Sequence, residues 1–109
     1  MKATFLAVLL AAAAASAPAF AHPCDGDARE RAAALLRFHF EEPGVEVGIA
    51  DKVQQLPALK ALAGSGRFDV LEVWGYIYRA EYRMRFIYAQ IPGSCVLMGQ
   101  EILEASDPY

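Results

Sequence analysis

Residues 68–103 read FDVLEVWGYIYRAEYRMRFIYAQIPGSCVLMGQEIL, and the architecture of the chain follows from this stretch. Its first half is dense in β-branched and aromatic residues, a composition that favours strands. Pro92-Gly93 suits the centre of a type II turn, because proline presets the first backbone angle and glycine accepts the positive φ of the second. We therefore predict antiparallel strands at 70–78, 82–90 and 95–103, joined by a reversal at 79–81 and a turn at 91–94.

Pairing of residue 78 with 82, and of 91 with 94, assigns the side chains of these strands to two faces, since successive side chains alternate. One face then collects Trp74, Tyr76, Tyr78, Tyr82, Met84, Phe86, Tyr88, Cys95, Leu97, Gly99 and Leu103. The other collects Val73, Gly75, Ile77, Arg83, Arg85, Ile87, Val96, Met98, Gln100 and Ile102. In this register Phe86 lies opposite Gly99. Glu72 falls on the aromatic face, which counts against the register or indicates a bulge near the start of the first strand.

The segment before these strands predicts one helix. Asp25 or Asp27 can cap its start, and Glu30 stands three residues after Asp27, as in a capping box. Pro43-Gly44 ends it, because the residue before a proline avoids the α region. The stripe expected to face the core comprises Ala28, Ala32, Leu35, Leu36 and His39.

The connection between helix and strands carries weaker signals. Alternating apolar residues predict a short strand within 45–53, residues 56–63 predict a short helical turn, and 64–66 predict a plain turn. We therefore expect an α+β fold in two layers, in which one N-terminal helix packs on a three- to four-stranded antiparallel sheet, on the face carrying Cys95. The order of elements is similar to that of cystatin-like sheets in architecture, and a fold alone implies no function.

The first 21 residues predict a secretory signal peptide. Lys2 precedes an apolar stretch that is too short to span a bilayer, and Pro18 breaks it. Ala19 and Ala21 are small residues that fit a peptidase pocket, so we expect cleavage after Ala21 and a single small domain at 22–109. This predicts a periplasmic or secreted protein with no membrane span after processing.

The mature chain would have 88 residues and a net charge of −4, which argues against a nucleic-acid partner. It would retain both cysteines, Cys24 and Cys95. An exported chain with two cysteines has one intramolecular pairing, and a small domain gains much from a covalent link. We expect a structural disulfide between them.

Residues that could carry chemistry are few. A catalytic histidine could only be His22 or His39, and the serines lie in turn or tail contexts, so we predict a non-enzyme without a cofactor. One metal arrangement is an alternative. After cleavage, His22 would offer its α-amine and its imidazole, and His39 would add a second imidazole, a nitrogen set that suits Cu(II) in an exported copper-binding protein.

The second sheet face is the candidate binding surface. A single helix cannot cover both sides of a sheet, and the uncovered side would carry apolar residues ringed by charge, which is unusual on an inert surface. The predicted binding residues are Arg83, Arg85, Ile87 and Met98. Pairing of these arginines with Glu101, Glu104 or Asp107 would weaken this interpretation. We therefore expect a small binding module for a protein or envelope partner, with an inhibitor, an accessory protein and a homodimer among its forms.

Overall fold

The computed structural model describes residues 22–106, so the predicted signal peptide lies outside the described residues. Its elements, in chain order, are α1 Asp25–Phe40, β1 Gly48–Ile49, β2 Gln54–Lys60, β3 Arg67–Ile77, β4 Ala80–Ala89 and β5 Leu97–Glu104. The helix packs on an antiparallel sheet, which confirms the α+β prediction. The described part of the chain has five strands, one more than the upper expectation.

Helix α1 buries one face of small and branched residues against the sheet. Ala28, Ala32 and Leu36 are fully buried, and Leu35 is partly buried. His39, predicted on the same stripe, is exposed in the last turn. The predicted caps are wrong, because Cys24 is the N-cap and makes no side-chain capping bond. Both aspartates lie inside the first turn, where the helix dipole favours carboxylates.

The sheet order is β1-β3-β4-β5, with every pair antiparallel. β2 also pairs with β3, along the edge that β1 shares. The strand predicted within 45–53 is only two residues long. The helical turn predicted at 56–63 is wrong, because this segment hydrogen-bonds to the free edge of β3, and that pairing outweighs a weak local helical preference. Pro57 is tolerated because β2 is an edge strand.

The predicted pairing of β3 with β4 is wrong by an odd number of residues. Ile77 pairs with Ala80, so the turn consists only of Tyr78 and Arg79. Tyr78 adopts φ 55, a left-handed conformation that aromatic residues rarely use. An odd shift turns every side chain of one strand to the other face. The side chains of β3 that face α1 are therefore Leu71, Val73, Gly75 and Ile77, beside Tyr82, Met84, Phe86 and Tyr88 of β4.

The last strand starts in the predicted register and then shifts. Tyr88 pairs with Leu97, a bulge follows, and Ile87 pairs with Gly99. Phe86 consequently lies opposite Gln100, not opposite Gly99 as predicted. Beyond the bulge, Gly99 and Leu103 lie on the side away from the helix, whereas Gln100 and Ile102 lie on the helix side.

The predicted disulfide is present and joins Cys24 to Cys95 across 71 positions of sequence. It links the start of α1 to the segment that leads into β5. The disulfide adjoins the core between helix and sheet, since Cys24 belongs to the buried cluster that includes Leu36, Met84 and Phe86. The helix is thus held on its face of the sheet by packing along its length and by a covalent link at its start.

Candidate binding face

The side of the sheet away from α1 is the candidate binding face. We call it the open face. The single helix of residues 22–106 covers only the other side. The register brings together on the open face Val70, Glu72, Trp74 and Tyr76 from β3, Arg83, Arg85 and Ile87 from β4, and Glu101 and Leu103 from β5.

A buried carboxylate lies at the centre of the open face. Glu72 is 6% exposed although no helix covers it. Its Oε2 accepts a hydrogen bond from Nε of Arg85 at 2.9 Å, and its Oε1 accepts one from Nε1 of Trp74 at 3.2 Å. Nε of Arg83 lies 3.9 Å from the same Oε2. A carboxylate buried without such partners would be strongly unfavourable, so Glu72 depends on the two guanidinium groups.

Glu101 extends this cluster across the next strand. Its Oε1 lies 3.5 Å from Nη2 of Arg83 and 3.8 Å from Nη1 of Arg85. The two arginines and two glutamates alternate across three strands and balance in charge. Arg83 and Arg85 are therefore held in fixed positions. Their pairing with Glu101 is the outcome that counts against the binding interpretation, because it satisfies part of their charge within the chain.

Arg83 nevertheless keeps hydrogen-bonding capacity. Its Nε is buried and has no hydrogen-bond partner among the described residues. Its side chain is 28% exposed, and the longer distances to Glu72 and Glu101 are those of ion pairs rather than of hydrogen bonds. The exposed part of the Arg83 guanidinium group can therefore donate to an oxygen supplied from outside the chain, whereas the buried Nε cannot reach one.

Apolar and aromatic side chains surround the charged cluster. Tyr76 is 39% exposed and Leu103 is 54% exposed, whereas Trp74 and Ile87 are half-buried. Met98 is 55% exposed and adjoins the β5 bulge. The structure thus brings Arg83, Arg85 and Ile87 together as the sequence predicts, with Met98 exposed beside Gly99 on the neighbouring strand.

Sequence reasoning missed Trp74, Tyr76 and Glu72 as members of this face, because the predicted register placed them under the helix. A signal for the correct register was present in Glu72. A carboxylate among aromatic core residues has no partner, but a shift by an odd number places it beside Arg83 and Arg85. Charge pairing across strands would have identified the register that hydrophobic patterning did not.

A second arrangement of polar side chains surrounds His22 at the start of the described chain. Nδ1 of His22 accepts a hydrogen bond from the backbone N–H of Cys24 at 2.9 Å, so the ring proton is assigned to Nε2. Nε2 donates to Oδ2 of Asp69 at 2.8 Å, and Gln90 donates to Oδ1 of the same carboxylate at 2.8 Å. These two hydrogen bonds hold the pKa of Asp69 below its usual value.

An open cleft of about 460 Å³ lies beside this group. Its walls are His22, the disulfide, Asp69 and the turn at 89–94. Both ring nitrogens of His22 are engaged in contacts within the chain, and its side chain is 11% exposed. The histidine therefore acts in this structure as a link between the start of α1 and strand β3.

The two histidines of the copper alternative are not brought together. His22 precedes the first turn of α1 and His39 lies in the last, so roughly 20 Å of helix at 1.5 Å per residue separates them. His39 packs edge-on against the ring of Tyr82, with ring centroids 5.7 Å apart. Within residues 22–106, no group of three or more His, Cys, Asp or Glu residues is placed to hold a metal ion.

No protein-family model matches the chain, and comparisons with curated proteins and with solved structures find no significant match. The similarity of architecture to cystatin-like sheets therefore stays a prediction. Within residues 22–106, no helix has the length and apolarity needed to cross a membrane.

Proposed function

We propose that this protein is a small exported binding module that holds a protein partner on its open face. The observation that carries the proposal is the buried Glu72 carboxylate, which fixes Arg83 and Arg85 between exposed aromatic and apolar side chains. An arginine that is already ordered loses less side-chain entropy on binding than a free one. Arginine, tryptophan and tyrosine are also the residue types that dominate the energetics of protein interfaces.

The chemistry of the open face defines the partner. The exposed part of the Arg83 guanidinium group favours carbonyl or carboxylate oxygens. Tyr76 and Leu103 offer apolar area beside it. Because the charges of Glu72, Arg83, Arg85 and Glu101 balance within the cluster, the partner does not need a large charge of its own. We therefore propose a protein surface that presents one oxygen acceptor flanked by apolar side chains.

Export of the chain is supported by two features. The disulfide between Cys24 and Cys95 is of a kind that persists in oxidising compartments, and the first 21 residues have the pattern of a cleaved leader. The proposal places the partner in the same compartment, as a component of the envelope or of the exported fraction.

Site-specific photo-crosslinking tests the proposal. A photoreactive phenylalanine analogue at position 76 should give one defined adduct with another protein in the periplasm or culture fluid. The same analogue at Phe38, which is 79% exposed on the helix, is the matched control and should give none. Equal adducts at both positions, or none at position 76, would contradict the proposal. An adduct of twice the mass of the chain would identify the partner as a second copy of this chain.

A further inference from the structure

We infer that cleavage of the Ala21–His22 bond creates a charged group that the folded chain is built to hold: the new α-ammonium group of His22 pairs with the carboxylate of Asp25. This inference concerns the start of α1, on the helix side of the sheet. It does not depend on a partner binding to the open face.

Asp25 has an incomplete set of partners. It lies in the first turn of α1 and is 6% exposed. Its Oδ2 accepts a hydrogen bond from the backbone nitrogen of His22 at 3.3 Å, whereas its Oδ1 is buried without a hydrogen-bond partner among the described residues. Within residues 22–106, Asp25 forms no ion pair with a lysine or an arginine. A buried carboxylate in this state lacks a countercharge and a donor.

Hydrolysis at Ala21 would supply both. While residue 21 is attached, the nitrogen of His22 is an amide with one hydrogen, and that hydrogen is used on Oδ2. Hydrolysis consumes one water molecule and breaks the bond between the carbonyl carbon of Ala21 and this nitrogen. Ala21 leaves as a carboxylate, and the amine takes up a proton, since α-amines are largely protonated at neutral pH. The resulting ammonium group has three N–H donors and a positive charge beside Asp25.

The surroundings of His22 hold this nitrogen in place. The imidazole is fixed by Asp69 and by the N–H of Cys24, and Cys24 is itself tied to Cys95. The helix dipole favours the charge of Asp25 but provides no hydrogen bond to Oδ1. Two independent features therefore indicate cleavage of the Ala21–His22 bond. The small residues before the bond predict it, and the buried, partly unpartnered carboxylate of Asp25 lies where it can pair with the new ammonium group.

A double-mutant cycle of thermal stability tests the inference. One chain begins at His22, released from a fusion without extra residues, and the other retains Ala21. Both are made with Asp25 and with Asp25→Asn. Retention of Ala21 should lower the Tm by roughly 4–8 °C when Asp25 is present, as for a loss of about one ion pair in a domain of this size. In the Asp25→Asn background, the shift should largely disappear.

Glu30→Gln is the matched control, because Glu30 is an exposed carboxylate on the same helix. In that background the effect of Ala21 should be fully retained. An equal Tm shift with Asp25 and with Asp25→Asn, or no shift in either, would overturn the inference.

A labelling measurement keeps the inference testable if Asp25→Asn does not fold. The α-amine of His22 in the folded mature chain should be acetylated several-fold more slowly than the same amine in the denatured, reduced chain, because His22 is buried. Equal labelling rates would overturn the inference. N-terminal sequencing of the exported protein should give His22 as the first residue. Any other first residue would also overturn the inference.

Discussion

Gly75 is a point of close approach between helix and sheet. A Cβ atom added there would lie 2.8 Å from Cδ2 of Leu36 and 2.8 Å from Cε of Met84. Both of these side chains are fully buried, so neither can move away without displacing other core atoms. The absence of a side chain at Gly75 is therefore what allows Leu36 to contact the sheet.

Gly75→Ala should lower the free energy of unfolding by about 1–3 kcal/mol, because it overpacks this contact. Gly99→Ala is the matched control. Its Cβ would have no neighbour closer than Cδ1 of Ile87 at 3.6 Å, an ordinary contact distance. Urea denaturation of both variants measures the difference. Equal stability losses in the two variants would show that helix and sheet are not in close contact at Gly75.

Asp27 is tied to both layers of the fold. Its Oδ2 accepts hydrogen bonds from Nε of Arg31 at 2.7 Å and from the hydroxyl of Tyr88 at 2.8 Å. Burial raises the pKa of the Asp27 carboxyl, but the hydrogen bonds from Arg31 and Tyr88 outweigh burial and leave the pKa below its usual value. Burial in turn raises the pKa of the Tyr88 hydroxyl, and the bond to Asp27 raises it further.

These shifts predict a loss of stability in acid. A carboxyl whose pKa is lower in the folded chain than in the unfolded chain stabilises the fold above the unfolded pKa of about 3.9. That contribution disappears as the pH falls through the lower, folded pKa. Asp27 and Asp69 should therefore both make the chain less stable below about pH 4.

Tyr88→Phe tests the contribution of Asp27 to the loss of stability in acid. Loss of the hydroxyl should cost about 1–2 kcal/mol at neutral pH and should reduce the further loss in acid, because the pKa of Asp27 then returns toward its usual value. Tyr82→Phe is the control, since Tyr82 is equally buried and has no carboxylate bonded to its hydroxyl among the described residues. Urea denaturation near neutral pH and near pH 2.5 measures both effects. The same acid dependence in Tyr88→Phe as in the parent chain would contradict this account.

At the scale of the strands, alternate side chains of β4 lie in two different environments. Tyr82, Met84, Phe86 and Tyr88 are buried under the helix, whereas Arg83, Arg85 and Ile87 are partly exposed on the open face. Stability should accordingly depend far more on the first set.

Phe86→Ala should cost about 3–5 kcal/mol as a truncation in the core, because Phe86 is fully buried. Met98→Glu should change the free energy of unfolding by less than about 0.5 kcal/mol, because Met98 is exposed. Chemical denaturation of both variants gives the comparison. If Met98→Glu unfolds the chain as Phe86→Ala does, the β5 bulge is covered and the open face is smaller than described.

The sequence predicts the strands better than it predicts their pairing. Aromatic and β-branched density placed β3 and β4 within a few residues, because such density reports burial in a sheet directly. The register depended on the turn, and Tyr78-Arg79 lacks the Gly or Asn that normally marks a two-residue hairpin. β2 was missed because its pairing with β3 is a tertiary contact. The candidate binding residues Arg83, Arg85 and Ile87 were predicted together because they share one strand, whose alternation does not depend on the register.

At the scale of the whole molecule, the disulfide closes most of the described chain into one loop. Cys24 and Cys95 are separated by 71 positions, so the link restricts the unfolded chain over most of the described residues. The double variant Cys24→Ala/Cys95→Ala should lose on the order of 4 kcal/mol, the chain-entropy value for a loop of this size. Calorimetric Tm of the variant, compared with the parent chain before and after reduction, measures the loss. A Tm that reduction does not change would contradict a stabilising role.

The central claim is that the guanidinium group of Arg83, fixed beside the buried Glu72, binds the partner on the open face. The most direct test is the crosslinking yield from position 76 in Arg83→Gln, normalised to folded protein and compared with Arg79→Gln, an exposed arginine in the β3–β4 turn. The account predicts that the adduct is lost in Arg83→Gln and retained in Arg79→Gln, and that the Tm falls only in Arg83→Gln, because the buried Glu72 loses one of its two guanidinium partners. An adduct that persists in folded Arg83→Gln would contradict it.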